Sequence, residues 1–488
     1  MEVRTNEVVL TESQKRCVQF KPEGSLLIRG IPGSGKTTIL LERARFLREQ
    51  ETEPDKARVL FLTYSRSLAN YVRQLSLKTG EEPVSVSTFH QWGSQLLRSL
   101  YPGLRFVEDK EGVVRHALNT VKKYNKGVVF PKFGENETDE RRVNQMLVKF
   151  LSEEISWIKG QGIETEEEYL KVKRSGRGNR IPISIDHRKS VFKVLIKYNE
   201  LLRNHYRCID YDDVAILLDK HKNDFDESLL PKHILIDEAQ DLTPLQLKVL
   251  RNFAQKSLTI GADKGQQIYR RNFSWKSLGI DVTGRRSKFL NETFRSTEEI
   301  IRLANSLQIH DKKLMKDEEY VVPVLPKFHG PVPVIYKPEN RSIEVEIILN
   351  EIKKILTKNP DHTIGLIGYS DNYFNKFIKV MNEMQIPWIK VKDRENEANL
   401  LSPGVKLVTF YSSKGLEFDH VVITGVKEGN LPSKHIQPGE DEEDFIALER
   451  RKFYVAMTRA RISLIISAPK PVSRFVDELD KTLYELKS

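Results

Sequence analysis

Eight residues, Gly30-Ile31-Pro32-Gly33-Ser34-Gly35-Lys36-Thr37, fit the pattern G-x-x-x-x-G-K-[ST] in full. The chemistry of that pattern is the holding of a nucleoside triphosphate. Gly30, Gly33 and Gly35 let the backbone curl until successive N–H groups, that of Ser34 among them, point at one phosphate. The N-terminus of the next helix adds its dipole. Lys36 then bridges the β- and γ-phosphates, the Thr37 hydroxyl ligates Mg²⁺, and Thr38 completes the set. A second cluster, Asp237-Glu238-Ala239-Gln240-Asp241, supplies what hydrolysis needs. Asp237 is placed to make the second Mg²⁺ contact, usually through water, and Glu238 to orient or deprotonate the attacking water. Kinases and transporters do not require that glutamate, so the pair is more specific than the loop alone.

Both clusters need rigid elements behind them. Ser25-Leu26-Leu27-Ile28 is a short apolar run of the buried-strand kind, and residues 39–47 carry the spacing of an amphipathic helix. Strand, glycine loop, helix is the context the first cluster requires. His233-Ile234-Leu235-Ile236 is a second buried strand ending on Asp237. At 488 residues the chain calls for several domains. With 39% apolar and 30% charged residues, 26 Gly and 21 Pro, it is neither collagen-like nor wholly disordered. No apolar run approaches the ~18 residues of a membrane span, and the first residues lead into no signal-peptide core. Two cysteines, Cys17 and Cys208, build no disulfide framework, and the histidines show no metal-ligand spacing. A cytoplasmic protein is expected. Lys and Arg outnumber Asp and Glu 79 to 68, a net +11 that suits a polyanionic partner or simple solubility.

Seven further blocks occur in order: residues 10–14, 59–65, 86–90, 261–269, 289–296, 408–418 and 449–460. With the two clusters above they make the chain resemble the UvrD/Rep/PcrA branch of superfamily 1 helicases almost from end to end. The resemblance implies an α/β fold of two RecA-like motors with ATP between them. Gln14 would read adenine, Phe294 pack on it and Glu417 hold the ribose. Gln266 would sense the γ-phosphate. Arg295 and Arg459, on the lobe opposite Lys36, would act as arginine fingers, a role worth ~10³–10⁵ in rate. Single-stranded DNA would lie on Tyr64, Thr88, Phe89, His90 and Tyr269, through backbone charge and base stacking. The 3′→5′ polarity follows from the family branch alone.

The expected organisation is a first motor from residues 1–92 and 205–280, a mainly helical insertion at 93–204, and a second motor at 281–488. Helices are expected at 143–159 and 189–205. Strands of the second motor are expected at 333–336, 363–368, 407–410, 421–425 and 462–467. Residues 440–444, all acidic, open the helix that carries Arg459. Residues 171–180 hold five basic residues among glycines, which suits phosphate contact or a solvated loop. The segment Asp210-Tyr211-Asp212-Asp213 reads as structural.

Departures from the family matter as much. Larger relatives carry a mobile fourth domain where this chain has only the polar loop 392–404, and residues 467–473 bypass the strand-separating hairpin. Tyr411 stands where a histidine is usual, and Arg270-Arg271-Asn272 where a tryptophan is. An ATP-driven single-strand motor with feeble unaided unwinding is expected, active in DNA repair or phage defence and strengthened by a protein partner. Compact motors of this kind resemble those paired with nucleases in anti-phage systems of the Gabija type. The alternative is an ATP-gated nucleic-acid-binding subunit of a nuclease complex, for which turnover is only a reset.

Overall fold

The computed structural model describes residues 10–53, 58–78, 84–133, 139–174, 183–267, 273–391, 399–434 and 441–487. Six parallel strands form the first sheet: β1 (Gly24–Gly30), β2 (Val59–Thr63), β3 (Ser85–Thr88), β4 (His233–Ile236), β5 (Ser257–Ala262) and β6 (Ser287–Leu290). Their order is β3-β2-β4-β5-β1-β6. β2, β4 and β5 are buried along their whole length, as a parallel sheet covered on both faces requires. Because β5 lies between β1 and β4, the loops after residues 30, 236 and 262 leave three neighbouring strands at one sheet edge. Ligands of open α/β sheets bind at that edge.

Helices α1 (Glu12–Val18), α2 (Lys36–Glu49), α3 (Arg66–Lys78) and α4 (Phe89–Leu100) pack around these strands. α2 buries Ile39, Leu40, Ala44 and Leu47, the stripe expected of an amphipathic helix. The insertion follows as α5 (Lys110–Tyr124), α6 (Glu140–Gln161), α7 (Glu166–Lys171) and α8 (Ile185–Glu200), the last running into a π-helical turn at Leu201–Tyr206. These helices close over a core of their own around Leu118, Leu151, Ile155 and Val194. Residues 175–180 of the basic loop lie outside the described residues.

A buried ionic cluster ties the insertion to the first lobe. Lys159 on α6, 2% exposed, donates to Asp210 at 3.0 Å and to Asp213 at 2.6 Å. Lys110 on α5 donates to Asp212 at 2.6 Å, and the Tyr198 hydroxyl to Asp210 at 2.7 Å. Asp213 opens α9 (Asp213–Lys220), which packs with α10 (Pro244–Phe253) under the first sheet. Removing one member of such a cluster leaves buried charges uncompensated. Lys159→Met is therefore expected to cost about 3–5 kcal/mol of stability in denaturant unfolding.

The second sheet has seven parallel strands: β7 (Val334–Tyr336), β8 (Thr363–Gly368), β9 (Trp388–Lys390), β10 (Gly404–Thr409), β11 (Phe418–Ile423), β12 (Ala460–Ser467) and β13 (Glu485–Lys487). Their order is β13-β7-β12-β11-β8-β10-β9. α11 (Glu298–Gln308), α12 (Lys312–Met315), α13 (Arg341–Lys358), α14 (Asn375–Glu383) and α15 (Glu442–Met457) surround it. One apolar core runs through both lobes, from Leu26 and Leu68 to Leu416 and Phe418.

Two placements differ from the sequence reading. β6 pairs with β1, so the first sheet extends through Leu290, beyond the boundary expected at 280. Arg459 does not sit on the acid-led helix: α15 ends at Met457, Thr458 caps it, and Arg459 occupies the turn into β12.

Candidate active site

The glycine loop folds as its residue types demand. Gly33 and Gly35 take φ of +75° and +80°, where a side chain is strained, and α2 begins at Lys36. The Lys36 ammonium donates to the carbonyls of Gly30 at 2.8 Å and Ile31 at 2.9 Å, and lies 3.3 Å from Asp263. Thr37 Oγ1 donates to Asp237 Oδ2 at 2.6 Å, which joins the two residues expected to share Mg²⁺. Burial, with Glu238 adjacent, pushes the Asp237 carboxyl up to about 6. Glu238 is equally buried, yet Lys414, Lys36 and Arg459 together hold it below the usual carboxylate range, so it is ionised at neutral pH. Its backbone takes φ of +56°, uncommon for a non-glycine residue and often seen at active sites. Gln240 donates to Glu238 and accepts from the Asp263 N–H at 3.0 Å, fixing the carboxylate against the loop after β5.

The second lobe reaches into this cluster. Arg459, 1% exposed, donates to Gln266 and to the Val455 carbonyl at 2.9 Å, and Gln266 in turn donates to Asp263. Burial lowers the Arg459 guanidinium to about 10, which leaves it cationic at neutral pH. Lys414 donates to Asp241 and to the Gln266 carbonyl at 2.6 Å, and stands 3.5 Å from Glu238. Burial works against its ammonium, but Asp241 and Glu238 keep its pKa above the ordinary lysine value.

Arg295 is placed differently from the expectation that it belongs to the lobe opposite Lys36. It leaves the first sheet five residues after β6, and the Phe294 N–H beside it donates to the Gly33 carbonyl at 2.8 Å. Only its guanidinium crosses, to Glu417 and to the Thr458 carbonyl at 3.4 Å. Arg295 is thus a seam residue, and Glu417 here holds Arg295. The ring of Phe294 is 49% exposed beside the glycine loop, open to a flat partner. Gln14 reaches the same loop, donating to the Ser34 carbonyl at 3.1 Å. Its Oε1 accepts from the Thr11 N–H at 2.9 Å, so the side chain also closes the cap of α1.

A triphosphate fits this seam by two orphaned groups. Ser34 Oγ and Arg295 Nε are buried without a hydrogen-bond partner among the described residues. Such groups are costly unless a ligand satisfies them. Among the described residues no set of three or more His, Cys, Asp or Glu could alone hold a metal ion. Thr37 and Asp237 would share one with phosphate oxygens and water, the ordinary arrangement for Mg²⁺.

The nucleic-acid candidates separate. Phe89 is a correction: at 2% exposure it packs in the core of the first lobe, edge-on to Trp92 at 6.0 Å. Thr88 is also spent locally, its hydroxyl accepting from the Gln91 N–H at 3.3 Å as the cap of α4. Tyr64 and His90 remain half-buried at the surface, His90 edge-on to Tyr211 at 5.5 Å. Tyr269 lies outside the described residues.

Comparison with known proteins bears on the whole arrangement. The family model of the UvrD/REP helicase N-terminal domain matches residues 10–275, over half of the chain, and that of the UvrD-like helicase C-terminal domain matches residues 389–470. The chain belongs to the UvrD/Rep helicase family. It is 23% identical to a DNA helicase II homologue of Mycoplasma capricolum, over 74% of this chain and 50% of that protein. It is also 23% identical to DNA helicase IV of Escherichia coli, over 93% of this chain and 67% of that one. A Mycoplasma pneumoniae DNA helicase is similar at 23% identity, over 94% and 83% of the two chains. The chain spans about half the length of the first of these relatives.

Within this UvrD/Rep member, the structure adds residues that sequence reasoning left without a role. Lys414, Gln240, Asp241 and Asp263 all line the seam, and each stands inside a block already recognised. The signal was present: a buried polar group in a family block needs a partner, and each of these four has one in another block.

Proposed function

We propose that this chain is an ATP-driven translocase on single-stranded DNA, moving 3′→5′, with weak unaided unwinding. One observation carries the ATPase part. Lys36, Glu238 and Arg459 come from elements more than 400 residues apart at the extremes, yet converge on one buried seam around two unsatisfied donors.

In this reading the triphosphate takes the loop N–H groups and the Lys36 ammonium, which lets go of the Gly30 and Ile31 carbonyls. Bound Mg²⁺ would neutralise phosphate charge, held through Thr37 and Asp237. Glu238, kept ionised and steered by Gln240, accepts a proton from the attacking water. Arg459 and Arg295 meet the charge that develops on the γ-phosphoryl oxygens. Gln266, bonded to both Asp263 and Arg459, conveys phosphate loss to the second lobe. Because ATP favours the closed seam and its products do not, turnover opens and closes the lobes around a strand gripped near Tyr64 and His90.

The branch resemblance supports the polarity. In this reading the thirteen residues between β9 and β10, of which 392–398 lie outside the described residues, stand in place of the fourth domain of larger relatives, and their small number supports weak unwinding. A role in DNA repair or phage defence, with a nuclease as partner, is consistent with this compact form. The seam is already bridged by Lys414 and Arg459, and that favours one alternative, a clamp that grips nucleic acid while ATP is bound. For either reading, basal ATPase of the full chain is expected to rise several-fold with oligo-dT and to lose that rise as salt increases. Turnover indifferent to oligo-dT at low salt contradicts the nucleic-acid part of both.

A further inference from the structure

The insertion carries a surface that the motor cycle does not use. On its outer side α5 and α8 leave a groove of about 290 Å³ between them, bordered by Thr120, Tyr124, Lys193, Ile196 and Lys197. That is the low end of small-molecule pockets, about 300–1,000 Å³. Two large apolar side chains stand out of it unusually far, Tyr124 at 72% and Ile196 at 55% exposure. Beside them Lys123 and Lys193 are exposed and form no ion pair among the described residues, while Lys197 pairs with Glu200 at 2.8 Å. The Lys123 ammonium sits over the Tyr124 ring, 5.1 Å from its centre, so cationic charge and an exposed aromatic ring coincide.

We propose that this groove is a second contact for single-stranded nucleic acid, outside the cleft, with a base on Tyr124 and phosphates on the lysines around it. The proposal rests on the reading above that the chain acts on nucleic acid. Unpaired lysines call for a polyanion, and a duplex backbone would need no exposed ring beside an apolar groove. A strand offering both phosphates and unstacked bases uses every feature of the surface. The two helices are braced to the first lobe by Lys110 on α5, which donates to Asp212, and Tyr198 on α8, which donates to Asp210, so a strand held here moves with the first lobe.

The test uses the full chain, wild type and with Tyr124→Ala plus Lys193→Glu, both exposed positions. Binding of a fluorescent 40-nucleotide oligo-dT is measured across a salt series, and ATPase with saturating 12-nucleotide oligo-dT in parallel. The variant is expected to bind the 40-mer about tenfold more weakly with a shallower salt dependence, since one stacked base and one phosphate contact are lost. Its 12-mer-stimulated ATPase should stay within about twofold of wild type. Unchanged 40-mer binding overturns the proposal and leaves the groove to a protein partner. Equal losses with both oligonucleotides also overturn it, because the residues would then act in the cleft. A wild-type chain that ignores both oligonucleotides overturns the parent reading, and this one with it.

Discussion

Glu238→Gln is expected to cut ATP turnover about 10²–10⁴-fold while nucleotide affinity stays near the wild-type value. The substitution keeps the shape of the side chain and removes only its capacity to take a proton. Its neighbours tolerate the change: Lys414 keeps its pairing with Asp241, and Gln240 keeps its bond to the Asp263 N–H. The loop N–H groups, Lys36 and Thr37 are untouched, so the triphosphate is still held. Single-turnover hydrolysis beside equilibrium binding of a fluorescent ATP analogue separates the two effects. Turnover within a few-fold of wild type would remove Glu238 from its role as base.

Arg459→Ala follows as the second large effect, a loss of about 10³–10⁵ in turnover. Arg459 donates its hydrogen bonds to Val455, Leu416, Gln266 and Thr458 and none to the glycine loop, so ground-state affinity should change far less than rate. What disappears is a buried cation aimed at the Gln266–Asp263–Glu238 cluster, where low polarity strengthens its effect on developing charge. Arg295 remains, yet it approaches from the first-lobe edge with its guanidinium engaged by Glu417, and it does not replace a group delivered by closure. Tight nucleotide binding with slow hydrolysis is the expected signature. Equal loss of binding and rate would make Arg459 a structural residue.

How much of this was legible in the sequence depended on whether a residue's role is set locally. The glycine loop was legible because positive φ at residues 33 and 35 nearly forces glycine, and the strand and helix around it are strongly patterned. Phe89 could have been read correctly: residues 89, 93, 96 and 97 repeat at helical spacing and form the core face of α4. Thr11 and Gln14 also satisfy the capping-box pattern, so the cap role of Gln14 was visible beside its adenine role. β6 was not legible, because Ser-Lys-Phe-Leu at a sheet edge is short, half-exposed and only partly apolar. The placement of Arg295 depends on that strand and was lost with it. The Arg295–Glu417 and Lys414–Asp241 pairs join residues more than 120 positions apart, and only tertiary structure brings them together.

Streptavidin release is the measurement closest to the central claim, that a seam closed by both lobes drives movement along a strand. Oligo-dT carrying biotin at its 5′ or its 3′ end is loaded with streptavidin and mixed with the chain, ATP and Mg²⁺, with Glu238→Gln as the control. The account expects fast release from the 5′ end, slow release from the 3′ end, and neither with the control. ATP hydrolysis at the oligo-dT-stimulated rate without release from either end would contradict it, and would leave a clamp in place of a motor.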